Sequence, residues 1–312
     1  MNGNALLEKV TGNIGKVIIG KEEITTLLLT ALLADGHVLL EDVPGTGKTK
    51  IAKSLAKSLD AKFNRIQFTP DLLPGDITGL SIYDQKQGEF VLRKGPAFTN
   101  ILLADEINRA TPRTQSGLLE CMEERQITID GATYPAGEPF FVIATQNPVE
   151  TLGTFPLPEA QMDRFMMKLS MGLPSKEEEC SILERYMKDE PLAALAPVVT
   201  IDEIKQAKEA VEQVFVHKCV LEYMVEIVAA TRQGENILMG VSPRGSLAFL
   251  HCAKAYAYLQ GRNFITPDDI KALAVPVLSH RIVMGYDKST SSQAFVEQIL
   301  GNIAVPTEEF GV

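Results

Sequence analysis

Short apolar runs alternate with helical patterns through the first half of the chain. The runs are rich in leucine and β-branched residues and lack regular polar positions, which is typical of strands buried on both faces. The segments between them carry apolar residues at helical spacing, so the pattern predicts a parallel sheet covered by helices. The predicted strands are His37 to Glu41, Arg65 to Phe68, Ile101 to Asp105, Phe140 to Thr145 and Phe165 to Ser170.

Two segments within this half have the pattern of β-hairpins. One spans Ser81 to Arg93, and the other spans Ile127 to Tyr134 around Asp130-Gly131, a dipeptide suited to a tight turn. We expect both hairpins to be insertions into the α/β scheme, and insertions of this kind often carry function.

Strand patterns stop after Gly172-Leu173-Pro174, and only helical patterns follow. Ser175 with Glu178 and Thr200 with Glu203 have the spacing of capping boxes at helix starts. We therefore predict an α/β domain over residues 1–173, a helical domain over residues 174–303 and a polar tail over residues 304–312.

Composition narrows the class of function. The 312 residues include 30 basic and 40 acidic side chains, a net charge of -10, which makes nucleic acid a poor default partner. The longest apolar stretch, Leu27 to Ala34, is too short to span a bilayer, and the N-terminus has no secretory pattern. The four cysteines form no CxxC pair, and no hydrolase triad can be assembled from the scattered histidines. We expect a cytoplasmic protein without a membrane span.

The segment Asp42-Val43-Pro44-Gly45-Thr46-Gly47-Lys48-Thr49 lies between the first predicted strand and a helix. In such a loop the backbone N–H groups surround phosphate oxygens, Lys48 reaches the β and γ phosphates, and the Thr49 hydroxyl coordinates Mg²⁺. Asp42 replaces the first glycine of the GxxxxGK[ST] pattern, but the rest of the loop is intact. The candidate nucleotide-binding residues here are Pro44, Gly45, Thr46, Gly47, Lys48, Thr49 and Lys50.

Asp105-Glu106 follows the apolar run Ile101 to Ala104. Any buried strand that ends in a charged loop has this pattern, but beside a phosphate loop it has a defined chemistry. Asp105 would orient Mg²⁺ or its water shell, and Glu106 would polarise the attacking water. The pair favours hydrolysis over phosphoryl transfer to another substrate.

Four strings of the chain stand out together. They are Leu39-Leu40-Glu41-Asp42-Val43-Pro44-Gly45, Asp105-Glu106-Ile107-Asn108-Arg109-Ala110, Ala144-Thr145-Gln146-Asn147-Pro148 and Pro158-Glu159-Ala160-Gln161-Met162-Asp163-Arg164-Phe165. With these strings the chain resembles the MoxR family of AAA+ ATPases, and the resemblance covers nearly the whole sequence. It implies an AAA+ αβα core with a five-stranded parallel sheet and a C-terminal, all-helical lid. An acidic pair at the loop start is common in that family, which accounts for Asp42.

The resemblance also implies roles for three further polar residues. Asn147 matches sensor 1, at the end of a strand placed between the phosphate-loop strand and the Asp-Glu strand. Arg164 matches the arginine finger, and Arg244 matches sensor 2 on the lid and would also contact the nucleotide. Judged from the residues alone, either arginine could instead be a plain surface charge.

The segment Val17-Ile18-Ile19-Gly20 matches the part of AAA+ proteins that packs on adenine, although buried apolar core is an alternative for it. Ile18, Ile19 and Gly20 are the candidate adenine-contacting residues within it. Arg109, Arg113 and Arg125 could face a neighbouring subunit or solvent.

The leading hypothesis is a Mg²⁺-dependent ATPase that forms a homo-oligomeric ring, a hexamer by resemblance, and remodels client protein complexes as a chaperone. The resemblance further implies a von Willebrand factor A domain protein as a partner. One alternative is a binding module that ATP switches with negligible turnover. Another is a DNA-remodelling motor, which the acidic balance weakens.

Overall fold

Strands and helices alternate along the chain as the apolar pattern predicts. The computed structural model describes residues 2–86, 88–149, 153–187, 190–234, 236–285 and 290–306, so most of the predicted tail lies outside the described residues. The strands are β1 (Val38–Glu41), β2 (Phe63–Gln67), β3 (Gly79–Asp84), β4 (Glu89–Lys94), β5 (Ile101–Asp105), β6 (Gln126–Ile129), β7 (Ala132–Pro135), β8 (Phe141–Gln146), β9 (Met167–Leu169), β10 (Ile237–Met239) and β11 (Val283–Met284).

The helices surround these strands and make up most of the second half of the chain. They are α1 (Gly3–Ile14), α2 (Glu22–Leu33), α3 (Lys48–Ser58), α4 (Pro74–Thr78), α5 (Pro112–Glu124), α6 (Glu159–Met162), α7 (Lys176–Tyr186), α8 (Ile201–Glu212), α9 (Lys218–Ala230), α10 (Pro243–Leu259), α11 (Pro267–Leu278) and α12 (Ser292–Asn302).

A five-stranded sheet with the order β2-β5-β8-β1-β9 forms the centre of the fold, and its strands pair in parallel. This confirms the predicted sheet. It also confirms that the strand before Asn147 lies between the phosphate-loop strand and the Asp-Glu strand. The last predicted strand starts two residues later than expected, at Met167, because the Phe165 N–H still bonds to Met162 O in the turn after α6.

Alternate residues of each central strand enter two different hydrophobic clusters. Leu40, Leu103 and Ile143 point to one cluster, which also contains apolar residues of α1, α2 and α3. Leu39 and Val142 point to the other, which contains apolar residues of α4 and α5. Both faces of the sheet are therefore covered, and this explains why the strands read as continuous apolar runs.

The two predicted hairpins are confirmed as antiparallel pairs. The pair β3-β4 follows α4, and the pair β6-β7 follows α5 with Asp130 and Gly131 at its turn in left-handed conformations. Several apolar side chains of the first hairpin are exposed, among them Tyr83 and Phe90, whose rings lie edge to face with centroids 5.4 Å apart.

Helices α7 to α12 form the helical lid, with one addition to the expected architecture. Residues of β10 and β11 pair as a short antiparallel ribbon, which no strand pattern in the sequence indicates. Helix α10 packs against both α1 and α2, so the apolar cluster of one sheet face continues into the lid. The approach is close at Gly3, where an added Cβ would lie 1.9 Å from the carbonyl oxygen of Tyr258.

His37, directly before β1, links three parts of this core and generates a stability prediction. Its Nδ1 accepts from the Val142 N–H at 3.0 Å, and its Nε2 donates to Met122 O at 2.9 Å. Burial lowers the pKa of His37 from 6.5 to about 4, so the folded protein holds the neutral ring where the unfolded chain takes up a proton. Stability from this site is therefore lost as the pH falls below 6.5.

We expect the free energy of unfolding to fall about 1 kcal/mol more in the wild type than in His37→Gln between pH 7.5 and 5.5. Urea unfolding of both proteins at the two pH values measures the difference. Glutamine can donate and accept at similar positions without titrating, so it serves as the matched variant. Equal pH dependence in the two proteins would show that His37 is not the titrating group.

Candidate active site

The predicted phosphate loop lies at the carboxyl end of β1, between that strand and α3. Gly45 and Gly47 have φ values of +88° and +94°, which residues with a Cβ rarely adopt. Gly47 occupies the N-cap of α3 and supplies no side-chain cap to the first amides of the helix. The loop thus presents backbone N–H groups and the positive end of a helix to the same space, which is an arrangement that binds phosphate.

Lys48 points back into this loop. Its Nζ donates to Asp42 O at 2.6 Å and to Val43 O at 3.3 Å. Partial burial lowers the pKa of Lys48, while the nearby carboxylates of Asp42, Asp105 and Glu106 oppose that shift. The lysine is held where phosphate oxygens could replace the two carbonyls as its partners.

The Asp42 side chain explains why the loop does not need glycine at its first position. The carboxylate is buried and accepts hydrogen bonds from Ser170 Oγ at 2.7 Å, Met171 N at 2.7 Å and Gly172 N at 3.1 Å. These residues follow β9 and lead into the lid. Asp42 therefore ties the start of the phosphate loop to the connection between the sheet and the lid.

Asp105, at the carboxyl end of β5, has partners for both carboxylate oxygens. Thr145 Oγ1 donates to Oδ1 at 2.6 Å, and the Arg65 guanidinium donates to Oδ2 at 2.7 Å. Asp105 and Thr49 line the same cavity, and their carboxylate and hydroxyl oxygens are ligands that Mg²⁺ accepts together with phosphate oxygens. The residues present therefore fit a nucleotide bound with Mg²⁺.

Glu106 adopts a left-handed backbone conformation with φ +56°, which is uncommon outside glycine and concentrates at functional sites. Its N–H donates to Thr145 Oγ1 at 2.9 Å. Its Oε2 accepts from Gln67 Nε2 at 2.6 Å and pairs with Arg109 Nε at 3.0 Å. The carboxylate is thus held by two partners that the sequence did not connect with it.

Asn147 follows β8 and is buried, with its Oδ1 accepting from Val149 N at 3.1 Å. It lines the same cavity as Lys48 and Glu106. The structure therefore brings together five residues from three separate motifs, Lys48, Thr49, Asp105, Glu106 and Asn147.

The cavity they share has a volume of about 450 Å³, and one side of it is apolar. Val17, Ile18 and Ile19 line it as expected, but Gly20 does not and lies against the Glu178 carboxyl group of α7. Pro44, Gly45, Thr46, Gly47 and Lys50 line it as expected too. The lining also includes four residues that the sequence did not single out: Lys21, Pro174, Ile182 and Tyr186.

Tyr186, at the end of α7, lies next to the phosphate loop. The Lys50 ammonium is 3.9 Å from the centroid of the Tyr186 ring, and the tyrosine hydroxyl is buried without a hydrogen-bond partner. The lid thus contributes an aromatic wall to the cavity. Nothing in the sequence around Tyr186 distinguishes it from an ordinary residue of an amphipathic helix.

Arg164 and Arg244 lie elsewhere, in a second cavity of about 240 Å³ that is also lined by Gly36 and His37. Those two residues precede β1, whereas the phosphate loop follows it, so the two cavities lie at opposite ends of the same strand. Arg164 Nη1 pairs with Glu123 Oε2 at 2.9 Å, and Arg244 Nη2 pairs with the other oxygen of Glu123.

Arg244, expected to contact nucleotide, is therefore not among the residues that line the cavity of its own phosphate loop. Helix α10 begins at the far end of β1, where Ser242, its N-cap, donates to Asp163 Oδ2 at 3.0 Å. Three further arginines are candidates for a subunit interface. Arg109 pairs with Glu106, Arg125 pairs with Asp35 at 3.0 Å, and Arg113 is exposed on α5.

The fold and the cavity define a P-loop nucleotide-binding protein with a helical lid, and comparison with known proteins gives its family. Residues 37–167 match the "ATPase family associated with various cellular activities (AAA)", and residues 229–299 match the "AAA lid domain". Protein YeaC of Bacillus subtilis, described as uncharacterized, is 50% identical over 98% of this chain and 97% of its own length. Chaperone MoxR1 of Mycobacterium tuberculosis is 40% identical over 96% of this chain and 82% of its own length.

A solved structure agrees with these relatives. The crystal structure of a candidate ATPase from Cytophaga hutchinsonii matches with a TM-score of 0.91 and 39% identity, covering 97% of this chain and 96% of that one. The chain belongs to the MoxR family of AAA+ ATPases. In the described part of the chain, each helix is too short or too polar to cross a membrane.

The geometry of the phosphate loop generates a binding prediction. Lys48→Ala removes the point charge that faces the phosphate site, so we expect ATP affinity to fall at least about 100-fold while the fold is retained. Titration with ATP and Mg²⁺, followed by calorimetry, measures the affinity. Lys53→Ala is the matched control, because Lys53 lies on the same helix and outside the cavity lining. Tight binding by folded Lys48→Ala would place the nucleotide site elsewhere.

Proposed function

We propose that this protein is a Mg²⁺-dependent ATPase that works in a homo-oligomeric ring and remodels client protein complexes. The observation that carries the proposal is the convergence of Lys48, Thr49, Asp105, Glu106 and Asn147 on one cavity at the carboxyl edge of the sheet. Ligands of open α/β sheets bind at this edge. Membership of an AAA+ family makes ATP the expected nucleotide.

Each residue has a defined part in this proposal. The amides of the phosphate loop and Lys48 bind the phosphates, and Thr49 and Asp105 hold the metal ion. Bound Mg²⁺ would neutralise phosphate charge and stabilise the leaving group. Glu106 accepts the proton of the attacking water, and Asn147 orients that water beside the γ-phosphate. For this, Glu106 must exchange its contacts with Gln67 and Arg109 for a contact with water.

The position of two arginines supports the proposed ring. Arg164 and Arg244 share a cavity at the opposite end of β1 from the phosphate loop, so they do not face the nucleotide of their own chain. An arginine that stabilises transferring phosphate is frequently supplied by a neighbouring molecule. We infer that both arginines act on the nucleotide of the next subunit, with six subunits closing the ring.

Client remodelling is the broader part of the proposal. It is supported by the relative from Mycobacterium tuberculosis that is named a chaperone. Within it, we place residues 1–173 as the nucleotide-binding domain, residues 174–303 as the lid and residues 304–312 as a tail. A cytoplasmic location and a von Willebrand factor A domain partner belong to the same proposal.

A nucleotide switch with negligible turnover is the second candidate. It is favoured by one observation, the engagement of Glu106 by Gln67 and Arg109, which occupies the carboxylate that hydrolysis requires. Steady-state phosphate release separates the two functions. A switch binds ATP stoichiometrically but releases no phosphate in the steady state. The proposed ATPase binds ATP and also releases phosphate continuously.

We expect Glu106→Gln to bind ATP with the affinity of the wild type and to hydrolyse it at least about 100-fold more slowly. The substitution removes the proton acceptor but keeps the size of the side chain and leaves Asp105 in place. Phosphate release under saturating ATP measures the rate, and Glu209→Gln, on the exposed face of α8, is the matched control. Unchanged turnover would remove Glu106 from the mechanism.

We expect Arg164→Ala to retain ATP binding and to lose hydrolysis by about 10³-fold or more, because an arginine finger contributes on that scale. Mixing Arg164→Ala with Lys48→Ala should restore part of the activity. Each variant is inactive alone, but the mixed ring contains interfaces where an intact phosphate loop meets an intact Arg164. Phosphate release across mixing ratios measures the recovery, and exchange of labelled subunits is the control. No recovery at any ratio, despite exchange, would contradict action between subunits.

A further inference from the structure

Arg281 is a buried cation that the proposed chemistry does not use. It ends a short turn after α11, and its side chain is only 2% exposed. Burial lowers the pKa of Arg281, and the Asp163 carboxylate opposes that shift by stabilising the charged form. A buried guanidinium needs several acceptors, and here they come from two different parts of the protein.

Most of these acceptors belong to the segment between α6 and β9. Arg281 Nε donates to Asp163 Oδ1 at 2.7 Å, Nη2 donates to Phe165 O at 2.7 Å, and Nη1 donates to Met166 O at 3.1 Å. A further contact, to Val277 O, comes from the lid helix α11. The guanidinium therefore fastens the lid to the segment that contains Arg164.

The other oxygen of Asp163 reaches a second part of the lid. Asp163 Oδ2 accepts from Ser242 Oγ at 3.0 Å, and the same hydroxyl caps α10 by accepting from Gly245 N at 3.3 Å. Helix α10 packs tightly on the arginine here, since a Cβ added to Gly245 would lie 2.8 Å from Arg281 Cδ. We call Asp163, Ser242 and Arg281 the lid clamp.

Two residues of the lid clamp, Asp163 and Ser242, lie beside the two arginines of the proposed intersubunit site. Arg164 directly follows Asp163, and Arg244 is two residues after Ser242. The two guanidinium groups also meet at the same carboxylate, that of Glu123. These two arginines are far apart in the sequence, one in the α/β domain and one in the lid. They are linked twice, through the lid clamp near their backbones and through Glu123 at their guanidinium groups.

We propose that the lid clamp positions Arg164 and Arg244 as one rigid unit, so that both guanidinium groups reach the neighbouring nucleotide together. This inference rests on the function proposed above. Asp163 and Arg281 are positioning residues in it, and they touch no reacting atom. A lid that moves without the clamp would carry Arg244 away from Arg164.

Asp163→Asn tests the proposal, because it keeps the size of the side chain and removes the charge that faces Arg281. We expect ATP affinity to be unchanged and kcat to fall about 10- to 100-fold, since a displacement near 1 Å in a catalytic group has effects on this scale. Asp269→Asn is the matched control. Asp269 is a buried lid aspartate that pairs with Arg262, and it lines neither cavity.

Mixed rings distinguish a positioning role from simple loss of stability. Asp163→Asn mixed with Lys48→Ala should recover activity, because Lys48→Ala supplies an intact clamp. Asp163→Asn mixed with Arg164→Ala should recover none, because both variants are defective on the same face of the subunit. If Asp163→Asn does not fold, Ser242→Ala takes its place in the test. We expect a smaller loss of kcat for Ser242→Ala, with recovery in mixtures with Lys48→Ala and none in mixtures with Arg164→Ala.

Two results separate the clamp from the proposed function. If Arg164→Ala and Arg244→Ala lose hydrolysis while folded Asp163→Asn and Ser242→Ala keep the wild-type kcat, the lid clamp is wrong and the ring mechanism stands. If Arg164→Ala itself hydrolyses ATP normally, the intersubunit role fails first. A loss of kcat in Asp269→Asn equal to that in Asp163→Asn, at equal thermal stability, would also overturn the positioning role.

Discussion

Burial of the central sheet on both faces is the constraint on which the rest of the structure depends. Side chains along β1, β5 and β8 enter one apolar cluster or the other, so these strands have little room for unpaired polar groups. Polar side chains are therefore concentrated where the strands end. Because the strands are parallel, their carboxyl ends lie side by side, and Asp105, Glu106 and Asn147 come together beside the phosphate loop.

Buried and partly buried hydrogen bonds attach the lid to both ends of this sheet. At the carboxyl end, Asp42 accepts three hydrogen bonds from the segment after β9, and at the other end Asp163 accepts from Ser242 and Arg281. A buried carboxylate such as that of Asp42 is unfavourable by several kcal/mol without its donors, and the partly buried Asp163 carboxylate holds the buried Arg281. The phosphate loop and the two arginines are thus both attached to the lid.

The fold could be predicted from the sequence because its main features are local. Apolar runs, capping boxes and the glycine-rich loop each depend on neighbouring residues, and the predicted sheet, hairpins and helical second half are present. The ribbon β10-β11 and the place of Tyr186 depend instead on packing between distant segments. The position of Arg244 is the clearest case, since its motif shows how α10 begins but only the bonds of Asp163 show where it lies.

The charged groups of the proposed site have protein partners in this structure. Lys48 bonds to loop carbonyls, Asp105 to Arg65 and Thr145, and Glu106 to Gln67. Arg164 and Arg244 share Glu123. A partly buried charge that loses its partner is destabilised. In the mechanism proposed above, nucleotide binding therefore proceeds as an exchange of partners. Lys48 would leave the loop carbonyls and bind phosphate, and Asp105 would leave Arg65 and bind the metal ion. Arg164 and Arg244 would leave Glu123 and bind a phosphate of the neighbouring subunit's nucleotide. In that mechanism, the contacts seen in this structure hold the separate parts of the site in place until a nucleotide and a neighbouring subunit offer other partners.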